Sequence, residues 1–124
     1  MYKKLNIEAL ELSTIFDKII NKEIPAEIVY ETDRVLAFKD INPVAPIHLL
    51  IIPKYNIQTV NDVTEDDSEV LAELFLSAKE LSKKMGIDKE GYRLVINCND
   101  NGGQTVYHLH MHLIAGRKLG WPPG

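Results

Sequence analysis

In the stretch "TVYHLHMHLIAG", residues 105–116, three of the chain's four histidines fall at every second position: His108, His110 and His112. Extended backbone points successive side chains to opposite faces, which sets the three imidazoles in a row with Cα atoms about 6.5 to 7 Å apart. Tyr107, Leu109, Met111 and Leu113 then share the opposite, buried face. A lone histidine on a half-buried strand is usually its polar face. Three in register point to chemistry, because imidazole, with an ordinary pKa of about 6.5, can attack, donate or accept a proton near neutral pH.

Two chemistries fit such a row. An H-x-H strand can offer two imidazoles to zinc, with a further ligand from elsewhere, for which the fourth histidine, His48 in "APIHLLIIP", is the candidate. Phosphoryl transfer uses one ring as a nitrogen nucleophile, a second to move the proton of the leaving group, and a third to fix tautomer and orientation. The preceding loop, "NDNGG", favours the second reading. Two consecutive glycines let backbone N–H groups turn toward an anion with no Cβ in the way, and Gln104 and Thr105 add side-chain donors. Losing one such donor would cost on the order of 3 kcal/mol of barrier.

The elements that must position these groups are legible in outline. In "STIFDKIINKEIP", Thr14 and Asp17 make a T-x-x-D start signal, Ile15, Phe16, Ile19 and Ile20 fall on one helical face, and Pro25 forbids continuation. "EIVYETDRVLAFKD" predicts a hairpin turning near Thr32 and Asp33, and "PIHLLIIPK" a buried strand. After Thr64, an acidic first turn and then Leu71, Leu74, Phe75, Ala78 and Leu81 at helical spacing predict one long helix, stopped by Gly86. Two more strands, about 92–98 and 106–114, complete five. Hairpin-length links between strands, with helices at separate points of the order, argue an α+β fold whose sheet is mostly antiparallel. Residues 5–12, "LNIEALEL", are expected as a short helix or a loosely held arm.

Composition narrows the partners. The chain of 124 residues suits one domain. Fourteen basic against eighteen acidic residues give a net charge of −4, with no basic stripe for a nucleic-acid polymer. The single cysteine, Cys98, permits neither an internal disulfide nor a multi-cysteine metal cage, which suits a reducing cytoplasm. No run approaches the ~20 apolar residues of a membrane span, and the N-terminus has no export pattern.

With these residues in view, the chain resembles the Hint branch of the histidine triad (HIT) superfamily. "HLHMHLI" meets the family's alternating histidine motif in full, "GGQTVYHLHMHLIAGRKLGWPPG" is similar to the Hint branch to the last residue, and "TIFDKIINKEIPAEIVYETDRVLAFKDINPVAPIHLLIIPK" matches the family's first half. The similarity covers about residues 14–124, leaving 1–13 as an N-terminal extension to a HIT domain. It implies a homodimer that hydrolyses purine nucleoside phosphoramidates, such as adenosine 5′-monophosphoramidate or AMP joined to a lysine amine.

By that resemblance His110 would be the nucleophile on the α-phosphorus, giving a nucleotidylated histidine that water resolves. His112 would contact the phosphate and the bridging atom, His108 and His48 would support them, and Thr105 would stand for a serine hydroxyl common in this branch. Asp40 would accept the ribose hydroxyls, Phe16 and Ile41 would line the base pocket, and Asn97, Gly103, Gln104 and Thr105 would address the phosphate. On their own residue types, Phe16 and Ile41 read equally as core packing, Asp40 as a turn residue and Asn97 as a loop amide closing its own turn. Many prokaryotic relatives carry two zinc-binding cysteines where this chain has Thr14 and Asp17, so neither structural zinc nor another cofactor is expected. Trp121 would pack near the dimer interface. The alternatives are dinucleoside polyphosphate hydrolysis of the related Fhit type and a regulatory nucleotide-binding module with slow turnover.

Overall fold

The structure is a computed structural model that describes residues 13–124, so the arm or helix expected over 5–12 lies outside the described residues. Five strands, β1 (Ile28–Glu31), β2 (Val35–Lys39), β3 (Ile47–Pro53), β4 (Arg93–Val95) and β5 (Met111–Ala115), form one sheet. The order is β1-β2-β3-β5-β4, with every neighbouring pair antiparallel. Helix α1 (Ile15–Ile20) precedes the sheet, and helix α2 (Ser68–Lys84) joins β3 to β4 after two 3-10 turns.

Alternation along the strands divides the core in two. Val35, Ala37, Leu49, Ile51, Met111 and Leu113 face α2, whose Val70, Leu74, Ala78 and Leu81 complete that layer. Leu36, Phe38, Leu50 and Ile52 face the other way, onto Phe16 and Ile19 of α1. Burying each such side chain stabilises the fold by roughly 1.5–3 kcal/mol, so both layers hold the sheet. Helix α1 is six residues long, too short to persist alone. Besides that burial, a reciprocal cap holds it: Thr14 Oγ1 accepts the Phe16 N–H at 3.2 Å, and Asp17 Oδ2 accepts the Thr14 N–H at 2.8 Å.

Three details depart from the expectation. Phe75 is 56% exposed, because α2 turns Val70, Leu74, Ser77, Ala78 and Leu81 to the sheet, and Phe75 lies about 200° around the helix from Ser77. The fourth strand runs only over Arg93–Val95, and the fifth starts at Met111 rather than near 106. Pairing stops there because β3 ends on Pro53, which has no N–H to offer, and the Leu109 N–H turns to the Ile57 carbonyl at 2.6 Å. Tyr107 therefore stays half-exposed instead of joining Leu109 in the core.

Candidate active site

The histidine row lies on the α1 side of the sheet. His112 belongs to β5, whereas His108 and His110 sit in the extended run that leads into it. Leu109, Met111 and Leu113 fill the opposite face, as alternation requires. The register sets Leu50 opposite His112 and His48 opposite Ile114, making His48 and His112 diagonal neighbours on one face. Asp40 joins them because its N–H donates to the His48 carbonyl at 3.0 Å, just beyond the end of β2.

Hydrogen bonds fix which nitrogen of each ring carries its proton. Nδ1 of His110 lies 2.7 Å from the His108 carbonyl, which can only accept, so Nδ1 holds the proton and Nε2 is left bare. The Val44 N–H donates to Nδ1 of His48 at 3.2 Å, which places the His48 proton on Nε2. That Nε2 is 2.9 Å from Nδ1 of His112, which must accept, so the His112 proton sits on its own Nε2. The pair therefore presents one bare nitrogen, on His110, and one N–H, on His112. Their ring centroids are 5.0 Å apart, edge to face.

Burial pushes the His110 ring below the ordinary imidazole range; its bond to the His108 carbonyl opposes that shift. His112 is pushed down to about 4, first by burial and then by the neighbouring His110 and His48, against the Asp40 carboxylate. Both rings are neutral at pH 7. His108 is fully buried and is also lowered by burial; its Nε2 stands 2.8 Å from the Pro53 carbonyl, to which it donates.

A cleft of about 300 Å³ opens over His110 and His112. Phe16, Ile19, Phe38 and Leu50 form its apolar wall, with Ile41, 86% exposed, Asp40 and Thr105 also along its lining. That size and lining suit a small organic ligand with a few polar anchors. Asp40 keeps acceptor capacity, since among the described residues Oδ1 receives only the Asn42 N–H, at 2.8 Å, and Oδ2 lies 3.5 Å from Nε2 of His48.

Asn97, Gly103 and Gln104 do not line this cleft. Gln104 is buried: its Oε1 accepts the Asn99 N–H at 2.8 Å, and its Nε2 donates to the carbonyls of Gln58 and Val106. The side-chain donor expected there is occupied inside the loop. Likewise the Gly103 N–H closes a turn on Asp100, and the Asn97 amide donates to the Gly102 carbonyl at 2.6 Å. The glycines serve the loop's own path: Gly103 has φ +83°, and a Cβ on Gly102 would meet the Cys98 carbonyl at 2.5 Å.

Asp40, His48 and His112 offer ligand atoms within 4.8 Å of one another, the grouping that a metal reading would use. Within that group, Nε2 of His48 and Nδ1 of His112 already face each other across a hydrogen bond. The residues that sequence reasoning missed act through the backbone or through a second role. The Val44 N–H and the Pro53 carbonyl orient rings and leave no mark in residue type. Asp17 reads as a cap, yet its Oδ1 lies 3.6 Å from Nδ1 of His108.

A sheet that sets an alternating histidine row beside an apolar cleft places the chain among the histidine triad proteins. The HIT domain pattern matches residues 21–119, and the chain belongs to the HIT family. The purine nucleoside phosphoramidase of Escherichia coli K12 is 52% identical over 107 residues, which are 86% of this chain and 90% of that protein. An uncharacterised HIT-like protein of Synechococcus elongatus is 53% identical over 111 residues, 90% of this chain and 96% of its own. Among solved structures, a HIT family hydrolase of Legionella pneumophila is similar with TM-score 0.89 and 54% identity, covering 90% of this chain and all 100% of that one. A histidine triad nucleotide-binding protein of Candida albicans is similar with TM-score 0.76 and 34% identity, covering 89% of this chain and 83% of its own.

Proposed function

We propose that the protein hydrolyses purine nucleoside phosphoramidates, of the adenosine 5′-monophosphoramidate or AMP-lysine type, through a nucleotidylated His110. The observation that carries this reading is the tautomer of His110: its Nδ1–H is held by the His108 carbonyl, so the bare Nε2 is the nucleophilic atom. Likeness to the E. coli purine nucleoside phosphoramidase supports the substrate class.

In the first step Nε2 of His110 bonds to the α-phosphorus as the P–N bond breaks, and the leaving nitrogen takes the Nε2 proton of His112 once that ring has gained a second proton on binding the anionic substrate, so that His112 ends as neutral imidazole. In the second, water attacks phosphorus, its proton returns to Nε2 of His112, and His110 leaves as neutral imidazole with AMP released. His48 keeps His112 in the donating tautomer, and His108 anchors the segment. The Thr105 hydroxyl donates to the phosphate or leaving group, Asp40 accepts the ribose hydroxyls, and Phe16 and Ile41 pack the base. Asn97, Gly103 and Gln104 act indirectly, by shaping the loop that presents Thr105. No metal enters any step.

A homodimer in the cytoplasm completes the reading. Strand β4 is a sheet edge, and Phe75, Leu76 (59% exposed) and Trp121 (83% exposed) are large apolar side chains open to a partner. Arg93 of β4 donates to the Gly120 carbonyl at 2.7 Å, which ties the tail beside that edge. No helix among the described residues is long and apolar enough to cross a membrane. Light scattering during gel filtration should give twice the chain mass.

The test of function is release of AMP from adenosine 5′-monophosphoramidate by purified protein in EDTA. Wild type should release AMP and His110→Ala should not. Release by the variant at the wild-type rate, or none by wild type, would overturn the reading.

A further inference from the structure

One polar atom of the histidine row has no part in the chemistry above: Nδ1 of His108. Nε2–H of that fully buried ring donates to Pro53, so in the neutral ring Nδ1 is a bare acceptor, and it has no hydrogen-bond partner among the described residues. Facing it at 3.6 Å is Oδ1 of Asp17, a second acceptor. The opposed acceptors leave the buried Nδ1 unsatisfied, whereas a proton on it would form a charge-assisted bond to the Asp17 carboxylate, whose side chain is 24% exposed. The carboxylate is held in place, because its other oxygen receives the Thr14 N–H at the start of α1.

The two rings are linked. The His108 carbonyl holds Nδ1–H of His110, and Phe16 lies edge-on to both imidazoles, with centroids 6.0 and 5.1 Å away. A charge on His108 therefore acts on His110 at fixed spacing, through an apolar side chain rather than water.

We propose that Asp17 is a positioning residue for the hydrolysis: as pH falls it directs the first proton of the row to Nδ1 of His108, and the resulting cation keeps Nε2 of His110 bare. This rests on His110 being the nucleophile. Among the described residues, the charged or titratable groups facing His108 are Asp17 from α1 and His110 from its own segment, and β3 contributes the Pro53 carbonyl. Burial opposes the charge on His108, and the Asp17 carboxylate favours it.

Asp17→Asn discriminates sharply, since its amide oxygen can still accept the Thr14 N–H while its NH₂ donates to Nδ1 of His108 and fixes that ring as neutral. Asp17→Ser removes the charge without that donor. Histidine ring titrations by NMR on the substrate-free protein should show His108 protonating at lower pH in both variants, by about one pH unit or more, as expected for loss of an adjacent opposite charge. The acid limb of kcat/KM should move to higher pH. Thr14→Ala, which weakens the cap and keeps the carboxylate, should lower Tm and leave the His108 titration in place. An unshifted His108 titration, an unshifted acid limb, or an equal shift in Thr14→Ala would each overturn the proposal. The titration is read without substrate, so its failure is distinct from failure of the hydrolytic reading, which shows as absence of AMP release by wild type.

Discussion

His48 and His112, 64 residues apart in the chain, share one proton across 2.9 Å. The Val44 N–H fixes its direction by filling the other nitrogen of His48, so the proton chain runs from backbone to His48, to His112 and then to Nε2–H of His112. The two functional rings thus have opposite polarity at their exposed nitrogens. Hydrogen bonding alone thus gives two identical residues different free nitrogens, a bare one on His110 and an N–H on His112.

If His112 protonates the departing nitrogen, its loss should depend on the leaving group. His112→Ala should lower kcat for an alkyl phosphoramidate by about 10²- to 10⁴-fold, the usual contribution of a positioned acid. An AMP ester of an acidic phenol, which leaves without help, should lose far less. Steady-state rates on the two substrates check this, and equal losses would remove the acid role.

Replacing His48 should act through His112. In His48→Ala the Nδ1 of His112 loses its donor, and the ring is free to take the other tautomer. We expect kcat to fall by up to about 10⁴-fold, the loss that a wrong histidine tautomer causes in a serine-protease triad, with KM little changed. ¹⁵N spectra of His112 should show the proton shifting from Nε2 toward Nδ1.

The depressed imidazoles also bear on stability. In the folded protein His112 is pushed down to about 4, below its ordinary value near 6.5, so between those values the unfolded chain binds the extra proton. The contribution is fully present above pH 6.5 and is lost as pH falls toward 4, on the order of 3 kcal/mol over that window. Urea denaturation at stepped pH should show this decline, and His112→Asn should flatten it.

The loop before the histidine run should be sensitive at one methyl group. Gly102→Ala places a Cβ 2.5 Å from the Cys98 carbonyl, a backbone atom that cannot step aside. About 1–3 kcal/mol of stability should be lost, with kcat reduced as Thr105 is displaced. Thermal melts and rates together check this.

How much of this was legible follows from how local each signal is. The Thr14–Asp17 cap, the Thr32–Asp33 hairpin and the alternation of Leu109, Met111 and Leu113 against the histidines depend on neighbours a few residues apart, and they stand in the structure. What pattern alone does not contain is register. That His48 lands diagonally across from His112, and that Asp17 reaches His108, depends on how β3 meets β5 and where α1 docks. Side-chain fate was hidden for a related reason. Gln104 looked like a phosphate donor by type, and only its burial against Gln58, Asn99 and Val106 shows the amide turned inward. Phe75 looked like core by spacing, but α2 docks through the face that carries Val70, Leu74, Ser77, Ala78 and Leu81.

The central claim is that Nε2 of His110 bonds to phosphorus. A single turnover of adenosine 5′-monophosphoramidate, quenched in base and mapped by peptide mass spectrometry, tests it most directly. AMP should be found on the peptide at His110, and it should be absent in His110→Ala. AMP on another histidine, or full turnover with no labelled peptide at any time point, would contradict it.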